Sequence, residues 1–123
     1  MKPIILLTTP PPTANNLFRN VPGKGRVKTD RYKAWLAEPL FLGTPDMGFR
    51  RLASAPAAPI AHDVAVTIEC PRPRKNSDLD NRIKGLIDKI AGAGWLVNDK
   101  QVVKITAMWA ELPACRVTIE AAA

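Results

Sequence analysis

Three carboxylates and a lysine that could together hold a divalent ion and a phosphate stand in two short stretches of a basic chain. One is Asn76-Ser77-Asp78-Leu79-Asp80-Asn81-Arg82-Ile83-Lys84, the other Val97-Asn98-Asp99-Lys100-Gln101. Asp78, Asp80 and Asp99 offer hard oxygen donors of the kind Mg²⁺ takes, usually as one or two carboxylates beside water and a substrate phosphate. The chain carries 18 Lys and Arg against 11 Asp and Glu, a net charge of +7, which draws polyanions. An acidic cluster alone would repel such a partner, and a divalent ion bridging carboxylate and phosphate reconciles the two. A helix N-terminus repels cations, so one aspartate would not suffice. Lys84, one helical turn beyond Asp80, is a compact cation suited to the charge on a transition-state phosphate or a leaving oxygen. Its plainer reading is an Asp80–Lys84 surface pair worth a few tenths of a kcal/mol, roughly.

These residues need a rigid element to aim them. Leu79, Ile83, Leu86, Ile87 and Ile90 recur at i, i+4, i+7, i+8 and i+11, an apolar stripe of helical period. Ser77 or Asp78 supplies an N-cap oxygen, and Gly92 and Gly94 are stop signals after Ala91. Asp80, Lys84 and Asp88 form a neighbouring stripe, so Asp80 sits at the border between the buried face and water. Asp78 lies just ahead of the helix and can turn toward the same point. Asp99, at the start of a later strand, is expected to face that helix start.

The rest of the chain reads as one domain over residues 1–123, large enough for one modest core. Ile4 to Thr8 is a strand stopped at Pro10, with Asn15 and Asn16 in an extended or turn segment after it. Val21-Pro22-Gly23-Lys24-Gly25-Arg26 is a basic, mobile loop without the spacing of a Walker phosphate loop. Thr29 or Asp30 caps a helix running to about Glu38, its Tyr32 and Trp35 read as core rather than as a base-stacking platform. Residues 40–62 are rich in proline and alanine, have no period, and read as a loop or insertion. Val64, Val66 and Ile68 alternate in a half-buried strand, as do the residues of Gln101 to Trp109 and of Cys115 to Ile119. The order strand, helix, strand, helix, strand, strand indicates an α/β or α+β domain with a mixed β-sheet packed against helices.

Arg19, Lys24, Arg26, Lys28, Arg31 and Lys33 form one basic group, and Arg72, Arg74, Lys75, Arg82 and Lys84 another. Two such groups flanking an acidic pocket favour a nucleic-acid partner over mere solubility. Glu69 is a further possible carboxylate, ranked below the three aspartates. His62, the only histidine, has no neighbour that would make it a catalytic base. No apolar run is long enough to span a bilayer and no signal-peptide core follows Met1, so a cytoplasmic protein without a membrane partner is expected. Cys70 and Cys115 fit no metal spacing and read as reduced thiols.

Asp78-Leu79-Asp80-Asn81, Lys84, Trp95, Asn98-Asp99-Lys100-Gln101-Val102-Val103 and the upstream Pro10-Pro11-Pro12-Thr13-Ala14-Asn15-Asn16 together resemble the RusA family of Holliday-junction resolvases. The likeness covers the beginning of the chain and roughly Cys70 to Val103, and is weak across Pro39 to Asp63. The resemblance implies a small homodimeric endonuclease, often encoded by prophages, that resolves four-way junctions in DNA recombination and repair. It implies Mg²⁺, with Mn²⁺ as a substitute and no small-molecule cofactor, at Asp78, Asp80 and Asp99, with Lys84 completing the catalytic set. Asn15, Asn16, Lys24, Arg26, Lys28, Arg31, Arg72, Arg74 and Lys75 are then the residues that meet DNA. Two other readings stand beside it: a nuclease for flaps, forks or other branched DNA, and a DNA-binding module that does not cut.

Overall fold

The computed structural model describes residues 1–13, 16–44, 50–73 and 78–122. Its strands are β1 (Ile4–Thr8), β2 (Phe18–Val21), β3 (Gly25–Lys28), β4 (Phe41–Gly43), β5 (Arg50–Leu52), β6 (Val64–Cys70), β7 (Val102–Trp109) and β8 (Cys115–Ala121). The helices are α1 (Asp30–Ala37) and α2 (Asp80–Gly92), and a 3₁₀ turn spans Asp99–Gln101. Six strands form one mixed sheet in the order β5-β4-β1-β8-β6-β7, and β2 and β3 form a separate hairpin. Only β6 and β7 run parallel, joined through α2; the other sheet pairs are antiparallel.

Alternation places Leu6, Val66, Ile68, Val117 and Ile119 on one face, in register across β1, β8 and β6. Both helices cover that face, burying Tyr32 and Trp35 from α1 and Leu86, Ile87 and Ile90 from α2 in the same core. The stripe on α2 is therefore the cause of its docking. The expected α1 is present, capped by Thr29, whose Oγ1 accepts from the Tyr32 N–H at 3.1 Å. Tyr32 and Trp35 are core residues, as their spacing suggests.

Three expectations need correction. The cap of α2 is not made by Asp78: Leu79 is the N-cap, with helical φ −67° and ψ −42° and no side-chain cap bond. An effective cap needs extended backbone to swing its oxygen over the first turn, and Leu79 already has helical dihedrals. Ser77, the other candidate, lies outside the described residues. The basic loop is the turn of the β2–β3 hairpin, built on Gly23 and Gly25 at φ +80° and +76°. Residues 40–62 contribute β4 and β5 at the sheet's edge, too short for any period to show. Gly43 makes room there for Leu7: a Cβ would lie 2.6 Å from Leu7 Cδ1 and force that side chain to shift.

The far end of α2 follows the sequence closely. Gly94, at φ +92°, lets its N–H bond Ala91 O (3.1 Å) while Trp95 N–H bonds Ile90 O (3.1 Å). That pairing is a Schellman motif, and it stops the helix by satisfying its last carbonyls.

Candidate active site

The connector from β6 to α2 opens the carboxyl end of the parallel pair. Cys70, last in β6, stands opposite Trp109, last in β7, and Ala110 N–H closes on Cys70 O at 2.9 Å. A cavity of about 500 Å³ lined by Pro71, Arg72, Trp109, Ala110 and Glu111 opens there, where open α/β sheets habitually bind ligands. Asp78 and Asp80 belong to this end of the molecule, and both are exposed. Asp78 Oδ2 accepts from Asn81 Nδ2 at 3.3 Å, which ties the carboxylate to the first turn of α2. Asp80 is the first residue of that helix, where the dipole favours a negative charge.

Asp99 lies elsewhere. The Asn98 side chain accepts from Lys100 N–H and the Gln101 Oε1 accepts from Asn98 N–H, both at 2.8 Å, a capping box that fixes the turn. Gln101 Nε2 then donates to Ile60 O (2.6 Å) and His62 O (2.9 Å), fastening Asp99's turn to the chain just before β6. Val102 is paired with Val64, at the foot of the parallel pair. Between that foot and Asp80 runs all of α2, whose 13 residues measure roughly 20 Å at 1.5 Å each. Asp99 does not meet Asp78 and Asp80 within one chain, contrary to the expectation from sequence. Accordingly, no three Asp, Glu, His or Cys side chains converge on one point among the described residues. The reason is topological: a helix joining parallel strands carries the chain back to the starting end.

Lys84 is exposed and pairs with Asp88, Nζ to Oδ2 at 3.4 Å, rather than with Asp80. Asp88 Oδ2 also accepts the Tyr32 hydroxyl at 2.7 Å. Burial, helped by that bond and the Asp88 charge, pushes the Tyr32 phenol far above its ordinary pKa. Arg82 is no surface cation: it is buried, and its Nη1 donates to Pro11 O at 2.6 Å, pinning the proline segment to α2. Sequence reading missed Lys89, which is buried under α1. Its ammonium donates to Thr8 Oγ1 (2.9 Å) and Trp35 O (2.7 Å) and stands 4.3 Å from the Trp35 ring. Burial holds its pKa below the usual lysine value. Nothing in the pattern flags it, because its partners come from two distant elements.

Glu69 is engaged by Arg116 through two hydrogen bonds of 3.0 and 2.8 Å on the other face of the sheet. His62 is exposed and its Nδ1 bonds its neighbour's carbonyl, Asp63 O, at 3.0 Å. Cys70 and Cys115 are free, buried, and joined by a thiol bond of 2.8 Å from Cys115 to Cys70. That bond draws the Cys70 thiol below its ordinary pKa and holds the Cys115 proton well above its own.

The basic side chains are mostly where a polyanion could reach them. Lys24 sits in the hairpin turn and Arg26 and Lys28 on β3, all exposed, with Arg26 lying 4.4 Å over the Phe18 ring. Phe18 in turn meets Tyr32 edge-on at 5.6 Å, so the hairpin packs on α1 through the same tyrosine whose hydroxyl bonds Asp88 of α2. Arg31 is exposed beside a second groove, with Pro10, Pro11 and Pro12. Arg72 is exposed and lines the cavity at the carboxyl end of β6 and β7. Asn16 turns its amide back to Thr13 Oγ1 at 2.9 Å, the local turn chemistry that asparagine favours. Asn15, Arg74 and Lys75 lie outside the described residues.

An exposed carboxylate pair at the start of a helix suits the handling of phosphate through a divalent ion. The comparison with known families narrows it. The family model of the endodeoxyribonuclease RusA matches residues 8–120. The chain belongs to the RusA endodeoxyribonuclease family. The matched span includes residues 40–62 and the edge strands β4 and β5 within them. No curated protein matches the chain. A mixed sheet with two helices on one face is thus the RusA fold as this sequence builds it, and the family's activity is DNA cleavage at Holliday junctions. No helix among the described residues is long and apolar enough to cross a membrane.

Proposed function

We propose that this RusA-family protein is a Mg²⁺-dependent endonuclease that resolves four-way junctions by paired nicks as a homodimer. The observation that carries the reading is the exposed Asp78–Asp80 pair at the carboxyl end of β6 and β7, with exposed Lys84 one turn further along α2 and an exposed cationic hairpin packed on α1. The donor set fits the ion, because Mg²⁺ bound at a substrate phosphate commonly takes one or two protein carboxylates. Bound there, Mg²⁺ would supply charge neutralisation and an acidified water at the scissile phosphate. Lys84 meets the phosphate oxygens, while Arg26, Lys28 and Lys24 hold the backbone of an arm without reading its sequence.

The position of Asp99 supports the dimer. β7 is an edge strand, and Val103, Ile105 and Met108 on it are 56%, 43% and 40% exposed. An apolar edge of this kind pairs readily with another chain. Two β7 strands set antiparallel about a two-fold axis would place the foot of one beside the head of the other. Asp99 of one copy would then approach Asp78 and Asp80 of the second, and a two-fold junction would meet two matched sites.

The test is cleavage of a four-way junction able to branch-migrate, with Mg²⁺, Mn²⁺ or EDTA, beside linear duplex, flaps and forks and the Asp80→Asn variant. Symmetric paired nicks that need both the metal and Asp80 are expected. Cutting of flaps or forks in preference to junctions would move the substrate to other branched DNA. Junction binding with no cutting under any metal would leave a binding module.

A further inference from the structure

Lys84 carries its charge on a long, 61% exposed side chain, and its pair with Asp88 alone would hold it weakly. Exposed ion pairs contribute little, and a lysine placed before the acid at i, i+4 is the poorer of the two orders. Asp88, however, does not depend on Lys84 for its position. The hydroxyl of Tyr32, a residue with no exposed surface, fixes Asp88 Oδ2 at 2.7 Å, and the same oxygen faces Lys84 Nζ. Tyr32 is itself clamped between the Phe18 edge at 5.6 Å and the stacked Trp35 ring at 6.2 Å. Phe18 belongs to the hairpin and lies under Arg26. The links run unbroken from a cation of the hairpin to the ammonium of Lys84, which stands on α2 one turn after Asp80.

We propose that Asp88 and Tyr32 are positioning residues for Lys84: the fixed carboxylate restricts the ammonium to the stripe of α2 that begins with Asp80, where a bound DNA backbone can take it over. The proposal rests on the reading of Lys84 as a phosphate-binding group. Its physical content is preorganisation. Asp88 is placed by the core and not by the substrate, so the lysine's freedom is restricted before DNA arrives. The hairpin's packing on Tyr32 ties that restriction to the element that grips the DNA arm.

A double-mutant cycle on single-turnover junction cleavage tests it, with Lys84→Ala, Asp88→Asn, Tyr32→Phe and both substitutions at Asp88 and Lys84. A cationic group released from its working position costs about 10- to 100-fold in rate. Asp88→Asn is therefore expected to slow cutting by that factor with junction binding unchanged, Asp88→Glu to recover part of it, and Tyr32→Phe to cost less. In the Lys84→Ala background Asp88→Asn should cost nothing more. An unchanged rate in Asp88→Asn, or a full further loss in the double variant, overturns the positioning role while leaving the nuclease intact. A Lys84→Ala enzyme that cuts at the normal rate overturns the phosphate role of Lys84, and the positioning role falls with it. Thermal melting of each variant separates these outcomes from misfolding, since a purely structural defect lowers stability equally with and without Lys84.

Discussion

The roughly 20 Å of helix between Asp80 and Asp99 makes a sharp prediction about subunits. Asp80→Asn and Asp99→Asn should each abolish cleavage as a pure homodimer. If one copy supplies Asp78 and Asp80 and the other supplies Asp99, a mixed dimer of the two variants has one doubly damaged site and one intact site. Random re-association gives mixed dimers in about half of the population, each with one of two sites working, so nicking should return to about a quarter of wild type. The product should be single nicks without the paired second cut. The assay is to mix the two inactive proteins, allow exchange under mild denaturant, and follow supercoiled cruciform plasmid to nicked circle against linear form. No recovery, with mixed dimers verified by differently tagged subunits, would refute the shared site. Recovery that yields linear plasmid at the wild-type ratio would refute it as well, because one intact site per dimer cannot make paired cuts.

The remaining predictions concern charge. The neutral Tyr32 phenol is favoured in the folded protein, so its contribution to stability is complete below about pH 10, the ordinary tyrosine value, and is lost above it. The stability gap between wild type and Tyr32→Phe, measured by urea unfolding, should shrink by about 1.4 kcal/mol per pH unit above that point; a gap that is constant from pH 8 to 11 would show that the phenol titrates freely. Arg26→Ala should lower junction affinity and reduce the slope of log affinity against log salt by about one, with the cleavage rate of bound junction unchanged. An unaltered slope would take Arg26 off the DNA backbone.

Local pattern made much of this protein legible. The stripe from Leu79 to Ile90, the alternation of Val64, Val66 and Ile68, Thr29 as a cap and Gly94 as a stop all work through neighbours within a few residues. Such short-range relations survive in a one-dimensional reading. The β2–β3 hairpin, β4 and β5 escaped it because three- and four-residue strands are too short to show a period, and partners such as Leu7 for Gly43 are distant in the chain. The acidic and basic residues themselves, and the chemistry open to them, were determined by the sequence. Which of them meet was decided only by the fold. The parallel crossover sends Asp99 to the far end of the sheet from Asp80, the core removes Arg82 and Lys89 from solvent, and Tyr32 reaches 56 residues along the chain to fix Asp88. Spacing along a chain reports which side of a helix a residue occupies; it carries no information about which end of the molecule the next strand begins from, and that is set by the direction in which paired strands run.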